Sequence, residues 1–118
     1  MSDTLSIIKE ALEEHVPPDI MSLVIHHSMK ISQLGATLAT ELAVHKARLN
    51  MQMQIYMVEN EEKTLKRWKN SSTLTSYFLN GLFHEEYATL VTMEFYMQLI
   101  RDRITMYNTI LSYNKTIK

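Results

Sequence analysis

Apolar residues between Pro18 and Asn70 repeat at helical spacing along two lines rather than one. At about 100° per residue, Ile20, Val24, His27, Ile31, Leu34, Leu38, Leu42, His45, Leu49, Met53 and Tyr56 share one stripe. Ile25, Met29, Ala36, Ala43, Ala47, Met51 and Val58 fall on nearly the opposite side, and Lys30, Thr37, Glu41, Arg48, Gln52 and Glu59 fill the remainder. With no proline after Pro18 and Gly35 as its only glycine, the stretch predicts one long central helix over 18–69, continuous or broken once. A helix that is apolar on two sides needs two neighbours. Unbroken, it would run roughly 75 Å, against about 26 to 28 Å for a compact domain of this length.

Before it, Asp3 or Thr4 is placed to cap a short acidic helix over 1–16, with Leu5, Ile8, Leu12 and Val16 on its inner face. Pro17 and Pro18 end that helix, because each proline disfavours helical geometry in the residue before it, and Pro18 with Asp19 suits the first turn of the next. After the central helix, Asn70, Ser71, Ser72, Thr73 and Thr75 compete for backbone hydrogen bonds and predict a linker. A short helical turn with Tyr77, Phe78 and Leu79 follows and stops at Asn80-Gly81, which suits a left-handed cap. The linker and turn together take up 70–82.

A closing helix is predicted over 83–113. Leu90, Met93, Met97, Ile100, Ile104, Tyr107 and Leu111 alternate spacings of three and four, the seam expected of helix pairing and here assigned to an oligomer interface. Phe95, Leu99, Met106, Ile110 and Tyr113 widen it, while Glu94, Gln98, Arg101, Asp102, Thr105, Asn108 and Ser112 are left wet. The sum is an all-α fold: an elongated helical bundle, one domain over 1–118, with a short N-terminal helix and two long ones completed by oligomerisation.

Composition sharpens this picture in a few places. Two glycines, two prolines and nine methionines in 118 residues favour helix over strand. The net charge of -1 excludes a strongly basic stand-alone nucleic-acid binder, although the N-terminal twenty residues are acidic and the last eighteen basic. Absence of cysteine removes disulfides, thiolate nucleophiles and Cys-based zinc sites. The acidic, amphipathic N-terminus does not read as a signal peptide, and no run approaches the roughly 18 apolar residues of a membrane span. A cytoplasmic protein with no membrane contact is expected.

Motifs for chemistry are scarce. His84-Glu85-Glu86-Tyr87-Ala88 lacks the second histidine of a helical zinc-protease motif, and Glu41 with His45 supplies only a fragment of a di-iron pattern. His27 and His45 lie about 27 Å apart along one helix and cannot share a site; each is expected to be a hydrogen-bonded histidine on the inner stripe. No phosphate loop or nucleophile elbow occurs. The expectation is a protein that is not an enzyme, with no cofactor, metal or small-molecule substrate. One cluster stands out: Trp68 among Lys63, Lys66, Arg67 and Lys69. It reads either as a solvated helix end, with acids first and bases last, or as a stacking residue in a cationic patch for nucleic acid.

Lys46-Ala47-Arg48-Leu49, followed by Tyr56, a linker and a closing helix rich in aromatics and isoleucine, resembles the UvsY-type recombination mediators of tailed phages over residues 20 to 115. The resemblance implies a small helical protein that forms rings, binds single-stranded DNA and helps load a recombinase; it would make Lys46 and Arg48 DNA contacts. Two functions are thus expected. One is a non-enzymatic mediator of recombination or replication acting on single-stranded DNA and a partner protein. The other is an adaptor or inhibitor, such as a phage-encoded regulator, that presents helix faces to a protein and binds no nucleic acid.

Overall fold

A computed structural model describes residues 3–61 and 71–117. It contains four helices among those residues and no strand: α1 (Asp3–Glu13), α2 (Met21–Glu59), α3 (Ser72–Leu82) and α4 (His84–Ile117). They divide into two compact units, one formed by Met1–Glu41 with Thr92–Lys118 and the other by Leu42–Val91.

In the first unit, Leu5, Ile8 and Ala11 of α1, Val24, Ile31 and Leu38 of α2, and Met93, Ile100 and Tyr107 of α4 form the core. The α2 residues in this core belong to the predicted inner stripe. α1 ends at Glu13, short of Val16, and Ala11 takes a fully buried place while Leu12 is half-buried. Its last turn carries no basic residue, and locally its last carbonyls receive the Glu14 amide, on Ala11 O at 3.3 Å. They find partners on the other helices. The Ala11 carbonyl accepts from His27 Nε2 at 3.0 Å and the Leu12 carbonyl from Arg103 Nη2 at 2.8 Å.

The seam on α4 is filled from within the chain. Met93, Ile100 and Tyr107, at every seventh position, are buried; Leu90, Met97, Ile104 and Leu111 are half-buried. Tyr107 meets His27, and Ile100 sits against Gly35. Met93, Ile100 and Tyr107 are thus covered within the chain. A heptad pattern records that a helix pairs, not whether its partner belongs to the same chain.

In the second unit, Leu49 of α2 and Thr75 and Leu79 of α3 are buried, and half-buried Tyr56 gathers Phe78 and Phe83 around its ring at 6.2 Å each. Residues expected to be a linker open α3 instead. Ser71 is the N-cap, its hydroxyl accepting from the Leu74 amide at 3.3 Å, and the helix runs on for 11 residues. Asn80 and Gly81 lie inside it rather than stopping it. Their tolerance of a left-handed turn does not impose one, and the Phe83 amide continues the ladder to Leu79 O at 2.9 Å. Only Phe83 separates α3 from α4.

α2 ends at Glu59, and residues 62–69, into which the expected helix extends, lie outside the described residues. Asn60 closes it with both its backbone amide (2.9 Å) and its side-chain amide (3.1 Å) on the Tyr56 carbonyl.

Candidate functional site

His27, buried to 3% exposure on the inner stripe of α2, has a hydrogen-bond partner at each ring nitrogen. Its surroundings fix its tautomer. The Ala11 carbonyl can only accept, so Nε2 carries the proton, and Nδ1 is left to accept from the Tyr107 hydroxyl at 2.5 Å. The two rings meet edge to face at 5.5 Å. Glu14 Oε2 lies 3.3 Å from Nε2, and Glu14 Oε1 receives Lys30 Nζ at 2.6 Å.

Burial pushes the His27 imidazole below the ordinary histidine value, against the opposing pull of Glu14 and the Ala11 carbonyl. The hydrogen bond from Lys30, with its positive charge, holds the Glu14 carboxyl below the usual carboxylate value. The network thus joins α1, α2 and α4 around a neutral imidazole. It does the work of a helix cap. His45, in the second unit, donates from Nε2 to Glu86 O in the first turn of α4 at 2.8 Å and so ties α2 to α4 there.

Beside this network a cavity of about 460 Å³ opens between the end of α1, α2 and α4, with Arg103 and Tyr107 in its wall. Arg103 escaped the sequence reading. The signal was present: it stands three residues after Ile100 and four before Tyr107, a basic residue at the edge of the seam, next to Ile104.

The expected nucleic-acid residues are only partly placed. Lys46 and Arg48 are exposed on α2, whereas Lys63, Lys66, Arg67, Trp68 and Lys69 lie outside the described residues. His84, the first residue of α4, is exposed, and Glu85 and Glu86 occupy the first turn, where their charge complements the dipole. Among the described residues no group of three or more His, Asp or Glu could hold a metal ion. No helix among them is long and apolar enough to cross a membrane.

No family model, curated protein or solved structure matches the chain.

What the fold leaves uncovered is the second apolar line of α2. Ile25, Met29, Ala36, Ala43, Ala47, Met51 and Val58 are all exposed. Within the second unit this face carries its bulkiest residues: Val44 is 51% exposed, Met51 62%, Ile55 51% and Val58 81%. Their spacings of seven, four and three keep them on one side of the helix. In the first unit, α4 likewise exposes Phe95, Met106 and Tyr113, residues of the flank that widened its seam.

Proposed function

We propose that the protein is a non-enzymatic helical accessory protein that works through protein contacts, and that it assembles by pairing the Val44–Val58 face of α2 with the same face of a second copy. The observation that carries this reading is the run of large apolar side chains at Val44, Met51, Ile55 and Val58, each more than half exposed. Apolar residues aligned over several turns without a partner mark an interaction surface, where scattered ones would not. The spacing suits another helix.

The stripe is also self-complementary. A two-fold contact requires that one patch match itself in reverse. Val44 and Val58 lie seven residues either side of Met51, and Ala47 and Ile55 four either side. An antiparallel pair centred on Met51 thus sets Val44 against Val58, Ala47 against Ile55 and Met51 against Met51. Apolar side chains meet apolar side chains at every level.

The mediator of single-stranded DNA is kept as a second reading on one observation, the exposure of Lys46 and Arg48 on the same helix. Both readings are tested on one protein. Since the chain has no cysteine, Met51→Cys introduces a single thiol at the proposed two-fold axis, while Gln33→Cys places one on α2 away from it. Mild oxidation should cross-link the first into dimers and leave the second single; equal yields would reject the proposed pairing. Fluorescence anisotropy with a single-stranded oligonucleotide at low salt then separates the functions: binding that weakens steeply with added salt supports the mediator, and none removes it.

A further inference from the structure

The cavity beside His27 holds a charge that the fold does not balance. Arg103 is half-buried. Among the described residues its guanidinium meets one carbonyl, Leu12 O at 2.8 Å, and lies 6.0 Å from the centre of the Tyr107 ring; no carboxylate comes within 4.0 Å of it. A guanidinium presents five N–H donors in a planar fork that matches a carboxylate in two bonds at once. Capping α1 uses one of them. The donors that remain are on the wall of a space of about 460 Å³, within the range of sites for small organic molecules.

The other walls define what would enter. Val16, Val24 and Ile110 give an apolar lining, and the polar groups beside Arg103 are Glu14, His15 and Tyr107. Glu14 would repel an anion if it stood alone. Its charge is matched by Lys30 at 2.6 Å, so the fixed positive charge left at the cavity is that of Arg103. We propose that this cavity binds a small monocarboxylic acid, its carboxylate held by Arg103 and its apolar body against Val16, Val24 and Ile110. The site is distinct from the exposed stripe in the second unit, so it stands or falls independently of the proposed pairing.

The cap on Leu12 alone would explain why an arginine stands here, and the test must separate capping from binding. Titrating the wild-type protein with hexanoate and with hexanamide, its neutral counterpart, and following backbone amide shifts by NMR does so without any mutation. Hexanoate should shift Val16, Val24, Arg103 and Ile110 in a saturable way and bind at least about tenfold more tightly than hexanamide. Equal shifts from the two probes, or none from hexanoate at about 20 mM, where a millimolar site would be filled, overturn the proposal. Arg103→Lys keeps the charge but loses the fork, and should weaken hexanoate several-fold while leaving hexanamide unchanged; unaltered hexanoate affinity would contradict a site built on the guanidinium.

Discussion

A Cβ atom placed on Gly35 would lie 3.1 Å from Cγ2 of Ile100. Gly35 is the single glycine of α2, buried where that helix meets α4 in the first unit. Glycine costs a helix up to about 1 kcal/mol relative to alanine, and here the missing side chain is the room that Ile100 occupies. A larger residue must displace a buried neighbour. Gly35→Leu is therefore expected to lower stability by about 1 to 3 kcal/mol, the range for overpacking, despite the better helix propensity of leucine. Chemical denaturation followed by circular dichroism measures this. Combining Gly35→Ala with Ile100→Ala should cost less than the sum of the two single changes, since loss of the Ile100 Cγ2 methyl makes room for the added Cβ.

Stability should also depend on pH through His27. Its folded-state value is lowered from 6.5, chiefly by burial, so the unfolded chain takes up a proton more readily than the folded one. The contribution is fully present above pH 6.5 and is lost as pH falls through the folded value. Glu14 acts in the same direction at lower pH: its value is lowered from 4.5, chiefly by the hydrogen bond from Lys30, so its share persists above 4.5 and disappears below. NMR titration of the His27 ring should give a midpoint below 6.5, and the denaturation midpoint should decline on acidification through this window. His27→Gln should flatten the upper part of that decline.

Removing the partner of His27 gives a sharper test of the same network. Tyr107→Phe keeps the ring and leaves the buried Nδ1 without its donor, which is expected to cost about 1 to 3 kcal/mol. The loss should come mostly from the docking of α1. Amide exchange would show this as faster exchange at Leu5, Ile8 and Ala11, with Leu49 and Leu79 in the second unit unchanged.

Much of the helical framework was legible because burial on a helix writes a period of 3.6 into the sequence. The inner stripe of α2 was visible from Val24 to Leu49, and Pro17-Pro18 marked a true boundary. Ser71 and its neighbours carried a signal that turns and helix caps share, so a helix start read as a linker. The α4 seam was legible as apolar, and that Met93, Ile100 and Tyr107 are covered from within the chain was not, since period says nothing about which helix covers it. Contacts such as His27 with Tyr107, 80 residues apart, leave no local pattern at all. The second line of α2 was legible as apolar, and its exposure could be learned only from the fold.

Thr75 supplies a test of the second unit. Its side-chain oxygen is buried and has no hydrogen-bond partner among the described residues, a state that normally costs on the order of 1 to 3 kcal/mol. Thr75→Val keeps the branched shape and removes the orphaned hydroxyl. It should raise stability by on the order of 1 kcal/mol, read as a higher denaturation midpoint with an unchanged slope. A loss of stability would mean that the hydroxyl is bonded after all.

Pairing of exposed α2 faces is the central claim, and sedimentation equilibrium of the wild type beside the double variant Met51→Lys, Ile55→Lys tests it most directly. Both positions are exposed, so the charges should disturb association and leave the fold intact, with helicity by circular dichroism as the control. At about 100 μM, where micromolar pairing is nearly complete, the wild type is predicted to show a mass well above the 13.8 kDa of one chain and the variant that of a single chain. A wild type that sediments as one chain at this concentration, or a variant that associates as strongly as the wild type, would contradict the account.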